Sequence, residues 1–413
     1  MLSSLLATVL LLCAAAVSAA PNPGSTTTPF QRSGNAAYTW WTGPLAATAP
    51  GSYYFTGISS HGKQRVYQWS KGRMTYETVG STRPDDHNAP ALSVEPGHPT
   101  LVFYTGHPGT MMMRSAASDR PALNTKRPAF GAPVPMPFDQ RTTYAQVLRH
   151  EDHVVVLSRY LEEGLSGWYF VTSTDSGATW SEPTELFNSE DRQAYILVKE
   201  GERIEDGVDV FAYWHPKYGP DNRIGHRRIL FSDFFRNEDR LESFTIDGMT
   251  PVWHSQQEDR TQNEQIRLLD GGTIHGRPVA LVATWDASAP TPYYRALVPT
   301  DASAGGPWEV RPIRSSGGTY GSSNGNYVGG VYLDQRPGAA RIYISYQRSR
   351  SQWRLISADL TPDARPTAWR LVYASKNKLI RPVATGNYLM FMRPRTYAHY
   401  TKYFAQIYTI KIP

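Results

Sequence analysis

A cycle of short apolar strand, tight turn, second strand, longer loop and two further strands recurs along this chain, and it constrains the fold more than any other feature. The cycle runs from Trp41 through His87, Tyr144, Tyr195, Arg267 and Tyr327 to Arg381, each taken to open a first strand, which makes seven units. A repeat that builds one small sheet per unit cannot bury both sheet faces alone, so its stable form is a closed ring of stacked sheets. The expectation is an all-β chain: a single seven-bladed β-propeller of four-stranded antiparallel blades over residues 21–413. A length of 413 residues would otherwise suggest two or three domains, but a closed propeller spends that length on one.

Residues 1–20 read as a signal peptide. Leu5 to Ala16 form an apolar core, and Val17-Ser18-Ala19-Ala20 supplies small residues for cleavage. No later segment is apolar over a span that could cross a bilayer as a helix, so the mature chain is expected to be secreted, extracellular and free of membrane association. The single cysteine, Cys13, lies in the leader, which leaves the mature protein without disulfides or thiol chemistry. No Asn-x-Ser/Thr acceptor is present. With 42 Lys and Arg against 36 Asp and Glu the formal charge is +6, and the isoelectric point is near 9.2. No basic run accompanies this excess, which argues against a nucleic-acid partner; on charge alone an acidic polysaccharide and a basic surface without functional meaning stand equal. A monomer is expected.

In a four-stranded antiparallel blade the start of the first strand and the end of the second share one face. Two positions per blade therefore line the mouth of the ring. Read in order they are His87 and His107, Tyr144 and Arg159, then Tyr195 and His215 followed by Arg223; Asp286, Tyr327, Arg348 and Arg393 come from later blades. Glu95-Pro96-Gly97, Glu200-Gly201-Glu202, Asp270-Gly271-Gly272 and Asp334-Gln335-Arg336 are placed in turns on the opposite face. A full Asp-box, Ser173-x-Asp175-x-Gly177-x-Thr179-Trp180, is assigned to the turn between third and fourth strands. There Asp accepts local donors, Gly permits positive φ and Trp packs between blades. Asp175 is structural in this reading.

The Asp85-Asp86-His87-Asn88-Ala89-Pro90 opening, the second histidine after Tyr104-Thr105-Gly106, the Tyr144-Ala145-Gln146 element and the following Arg159 resemble the BNR-4 type propellers, over nearly the whole mature chain. These include the ulvan lyases and the fungal L-rhamnose-α-1,4-D-glucuronate lyases. The resemblance implies a carbon–oxygen lyase with His87, His107, Tyr144 and Arg159 as its catalytic group, acting on acidic polysaccharide with rhamnosyl-glucuronate units. Tyr144 is followed by Ala where many relatives carry Pro.

Elimination at C4 of a uronate requires removal of the C5 proton, which becomes acidic only when the adjacent carboxylate is neutralised. Arg159 suits that task, with Arg223 or His215 assisting. A histidine, with a reference pKa of about 6.5, can serve as base, and a phenol can protonate the departing oxygen or act as base beside an arginine. His87, with His107 beside it, and Tyr144 fill these roles, and which is acid and which is base stays open. Tyr195, His215, Arg223, Tyr327 and Arg348 are assigned to substrate binding. No cofactor or metal is assigned to the chemistry, and a structural divalent ion such as calcium is compatible with the central channel. Against these stand blander readings: one tyrosine among 25 is more often core, Arg159 could pair with Glu162 or Glu163, and Trp40 and Trp41 suit a buried role better than sugar stacking. A sialidase-type hydrolase or a non-catalytic sugar-binding propeller are the alternatives; the histidine-led, uneven rim favours the lyase. Endo or exo action depends on whether loops such as 121–137 and 218–226 wall off the cleft.

Overall fold

The computed structural model describes residues 31–123, 126–138, 141–161, 167–190, 193–215, 222–236, 241–254, 264–286, 289–301, 306–318, 330–336 and 339–412. These residues form seven four-stranded antiparallel sheets, so the propeller read from the repeat is the architecture found. Residues 1–20, expected to be a signal peptide, and Tyr327 lie outside the described residues.

Blade 1 runs from Ala46–Ala49 to Arg73–Ser81. Blade 2 begins with Ala91–Ser93, blade 3 with Thr142–His150, blade 4 with Gln193–Glu200, blade 5 with Glu264–Ile274 and blade 6 with Val331–Arg336. Blade 7 takes three strands from the C-terminus, Ile380–Thr385, Tyr388–His399 and Lys402–Lys411. Its fourth is Gln31–Asn35, which pairs antiparallel with the last strand. The two ends of the chain thus meet in one sheet, and this removes the exposed edge that an open ring would leave.

Some first strands are apolar runs buried on both faces, as in Ala194-x-Ile196-Leu197-Val198. Polar side chains tie each blade to the next. Gln64 Nε2 donates to Asn88 and Thr105 carbonyls at 2.8 Å. Gln146 exchanges bonds with blade 4 through the Ile196 carbonyl (2.6 Å) and the Val198 N–H (2.8 Å). Such pairing satisfies backbone groups that ring closure would otherwise bury unbonded.

Several sequence expectations are corrected. Trp41 lies ahead of its blade's first strand, and Tyr195 and Arg267 lie inside theirs. Asp270-Gly271-Gly272 and Asp334-Gln335-Arg336 are strand residues; Asp270 is buried and pairs with Lys199 at 2.6 Å. Glycine and acidic residues mimicked a turn, but a bulge between Leu268 and Asp270 lengthens the strand through them. The described residues of segment 121–137 pack on blade 1, with Leu123 N–H on Gln68, Ala129 N–H on Glu77 and Tyr54 Oη on the Pro121 carbonyl. Residues 216–221 lie outside the described residues, and Arg223 to His226 belong to a strand rather than a loop.

The Asp-box occupies its assigned turn. Asp175 accepts from Thr179 N–H (2.9 Å), Thr179 Oγ1 (2.6 Å) and Ser173 Oγ (2.7 Å), Gly177 has φ +89°, and Trp180 meets Phe103 of blade 2 edge-on at 5.9 Å.

Candidate active site

Immediately before blade 2 the chain makes one turn of 3-10 helix, Asp86–Asn88, with Asp85 at its N-cap. The Asp85 carboxylate accepts from the His87 backbone N–H at 3.0 Å, an Asx-type closure that places the ring of His87 over its own cap. The same carboxylate meets His87 Nδ1 at 2.5 Å and, across the blade, His107 Nδ1 at 3.1 Å. His107 follows the second strand of blade 2, so both rim positions of that blade converge on one buried acid. The rings stack at 4.6 Å with 19° between planes.

This geometry decides the tautomers. A carboxylate accepts only, so each Nδ1 carries the proton and each Nε2 points away from Asp85. Burial by itself would raise the Asp85 carboxyl, but the bonds from His107 and His87 outweigh it and hold the group well below the usual carboxylate range. His107 is displaced downward, first by burial, against the pull of Asp85. Asp85, His87 and His107 also bring three donor atoms within 4.8 Å of one another, the one grouping among the described residues that could hold a metal ion. Sequence spacing missed it because His107 joins only through the strand pairing.

Beside the imidazoles lies Tyr144, 5.5 Å from His87 and 6.0 Å from His107 between ring centroids. Its φ is +60°, at a bulge where the register between the first two strands of blade 3 shifts. A left-handed non-glycine residue costs about 1–3 kcal/mol and persists only where neighbours enforce it; here Ser158 Oγ donates to the Tyr144 carbonyl at 2.9 Å, and Ala145 and Val147 bond to Gly43 at 2.9 Å. At this bulge the phenol stacks on buried Trp168, 6.2 Å between ring centroids. Arg381, opening blade 7, repeats the device with φ +53° at its own register shift. Its Nη1 binds Asp86 Oδ2 at 2.6 Å, and the Tyr397 hydroxyl donates to the same carboxylate. Asp86, Arg381 and Tyr397 thereby anchor the histidine-bearing turn to the last blade.

Arg159, closing the second strand of blade 3, is buried, with its guanidinium 4.9 Å from the Tyr144 ring and 4.6 Å from the Tyr195 ring. Its Nε and Nη1 have no hydrogen-bond partner, and among the described residues no carboxylate pairs with it. A desolvated, uncompensated guanidinium is costly, which marks its charge as useful to the site. Tyr195 packs on Trp41 at 4.7 Å and has Arg267 5.7 Å from its ring centroid. From the far side Tyr400, in the last hairpin of blade 7, meets His87 edge-on at 4.6 Å.

Thus His87, His107, Tyr144, Arg159 and Tyr195 are brought together. Arg223 is held by Asp247 at 2.8 Å and lies over Trp214. His215 ends its strand opposite Gln193, its side chain outside the described residues. Arg348 is exposed near the end of its strand, and Arg393 donates to the Tyr408 hydroxyl at 3.0 Å. Trp41 is core, as expected. Asp85, Asp86, Tyr397 and Tyr400 escaped the sequence reading as site residues, and Arg267 and Arg381 were seen only as strand openers. Asp85 was legible in principle, since Asp-x-His is the spacing of a capped turn that returns the imidazole to its own cap.

No protein-family model matches the chain, and no curated protein matches it. Its fold is similar to a solved polysaccharide lyase described as a PL25 ulvan lyase bound to -[GlcA(1-4)Rha3S]-, with a TM-score of 0.66 and 11% identity over 94% of this chain and 96% of that one. It is likewise similar to a structure of a PL25 ulvan lyase described without that sugar, at 0.65 and 11% over 92% and 93%, and to polysaccharide lyase Uly1, at 0.59 and 11% over 90% of each chain. At such identity the likeness is one of fold.

Proposed function

We propose that this protein is a secreted polysaccharide lyase that cleaves the L-rhamnose-α-1,4-D-glucuronate linkage by β-elimination, releasing L-rhamnose and leaving a 4,5-unsaturated glucuronate end on gum arabic or arabinogalactan side chains. The observation that carries the reading is the pair of imidazoles tethered by Asp85, with both Nε2 atoms free to meet substrate, set against a phenol pair that encloses the uncompensated charge of Arg159. Elimination needs those parts: a positive charge that stabilises the enolate-like carboxylate as C5 loses its proton, a base, and an acid for the departing oxygen. The basic surface, +6 overall, suits an acidic polymer.

Within this proposal every proton step falls to side chains, and a divalent ion such as calcium would be structural. The chain acts as a monomer outside the cell. Ulvan is the second substrate reading, favoured by the fold's similarity to a lyase described with a glucuronate–rhamnose sulfate oligosaccharide. The test is ultraviolet absorbance of the conjugated product while the mature protein acts on gum arabic and on ulvan, with free rhamnose measured by chromatography. Rising absorbance with rhamnose from gum is the expected result. Absorbance on ulvan alone moves the assignment to ulvan, and sugar release without absorbance means hydrolysis and overturns elimination.

A further inference from the structure

Two tyrosines at the rim occupy opposite environments. Tyr144 is 1% exposed, its hydroxyl shielded from solvent without a hydrogen-bond partner, and its ring lies 6.0 Å from that of Tyr195. Tyr195 is the partly exposed member of the pair. It is also the one flanked by two cations, Arg159 from blade 3 at 4.6 Å and Arg267 from blade 5 at 5.7 Å from its ring centroid. Arg267 is 6% exposed and lies over Tyr213 as well, at 5.2 Å.

Among the described residues, the titratable and charged groups around Tyr195 include Arg159 and Tyr144 of blade 3, Tyr213 of its own blade, Arg267 of blade 5 and Tyr400 of blade 7. Burial alone would raise the Tyr195 phenol, but the charges of Arg159 and Arg267 outweigh it and hold the group below its ordinary value. Burial first, and Tyr195 second, push Tyr144 well above its own. Neighbouring titratable groups driven apart in this way mark a division of labour.

We infer that Tyr195 is the base that takes the C5 proton, that Tyr144 is a positioning residue with its unpartnered hydroxyl available to donate to the Tyr195 oxygen, and that Arg159 and Arg267 together hold the phenolate. This rests on the lyase reading and deepens it. In the step, the Tyr195 Oη lone pair forms an O–H bond with the C5 proton, and the C5–H electron pair becomes the C4=C5 double bond. The C4–O bond breaks with its electrons on the departing oxygen, which takes a proton from Nε2 of protonated His87. Tyr195 then returns its proton to solvent and His87 regains one.

The test combines Tyr195→Phe, a protein carrying 3-fluorotyrosine at position 195, and Arg267→Gln, assayed on gum arabic and ulvan. Tyr195→Phe should lose about 10²–10⁴-fold in kcat with its Tm retained. Fluorination, which acidifies the phenol without removing it, should shift the acid limb of kcat/KM to lower pH, and Arg267→Gln should shift it upward by about one to two pH units. The near-ultraviolet phenolate band of wild type minus Tyr195→Phe should titrate below the reference value of about 10. Tyr195→Phe activity within about tenfold of wild type, or an acid limb unmoved by fluorination, overturns the inference while leaving the lyase reading in place. A wild type that forms no unsaturated product from either polymer takes down both.

Discussion

Replacing Asp85 by asparagine tests the centre of the site with almost no change of shape. The carboxylate now accepts from Nδ1 of two imidazoles, at 2.5 and 3.1 Å. An amide oxygen can keep one of those bonds, but the amide N–H₂ then faces the other Nδ1, which must give up its proton and carry it on Nε2. One histidine thus presents a donor where it had a lone pair. The lost charge matters as much. At an effective dielectric near 20, unit charges about 4 Å apart attract by about 4 kcal/mol, and the amide gives up that attraction. Both histidine side chains are less than a fifth exposed, at 11% and 18%, so solvent screens little of it. The expected outcome is a fall in kcat of about 10²–10⁴-fold, with ¹⁵N spectra showing one ring switched to the Nε2–H tautomer. Unchanged tautomers together with unchanged turnover would refute the assignment of Asp85 as the holder of the pair.

Arg381→Met should leave Asp86 as a buried carboxylate without its cation and cost about 3–5 kcal/mol in urea denaturation; a loss below about 1 kcal/mol would show the turn is held by other contacts. Asp175→Ala should lower Tm by a few degrees and leave the kinetics untouched, because the Asp-box lies in a turn at the opposite end from the rim; a changed kcat would contradict its purely structural role. Acid should destabilise the fold in two stages. His107 has a folded pKa below its unfolded value near 6.5, so its contribution is full above that pH and is lost as pH falls toward the folded value. Asp85, also depressed, contributes fully above the ordinary carboxylate value of 3.8 and loses this as pH falls further. In Asp85→Asn the lower stage should vanish from the stability–pH curve.

How much was legible before the fold was known follows from the range of the interactions concerned. The seven-fold cycle, the Asp-box and the pairing of rim positions within one blade depend on neighbours in sequence, since turn chemistry and strand alternation are set over a few residues; His87 with His107 and Tyr144 with Arg159 were found that way. Where a bulge intervened, as at Asp270, the same local rules misplaced a strand residue into a turn. Ring closure was beyond them. The N-terminal strand Gln31–Asn35 completes the last blade, and Arg381 reaches Asp86 across 295 positions of sequence. Arg267 approaches Tyr195 from the next blade. Such contacts are made by the curvature of stacked, twisted sheets, and no periodicity records them. Sequence alone therefore determined the propeller and the residue types on its rim. The tertiary structure decided that one buried carboxylate would orient two histidines, and that two arginines would share one phenol.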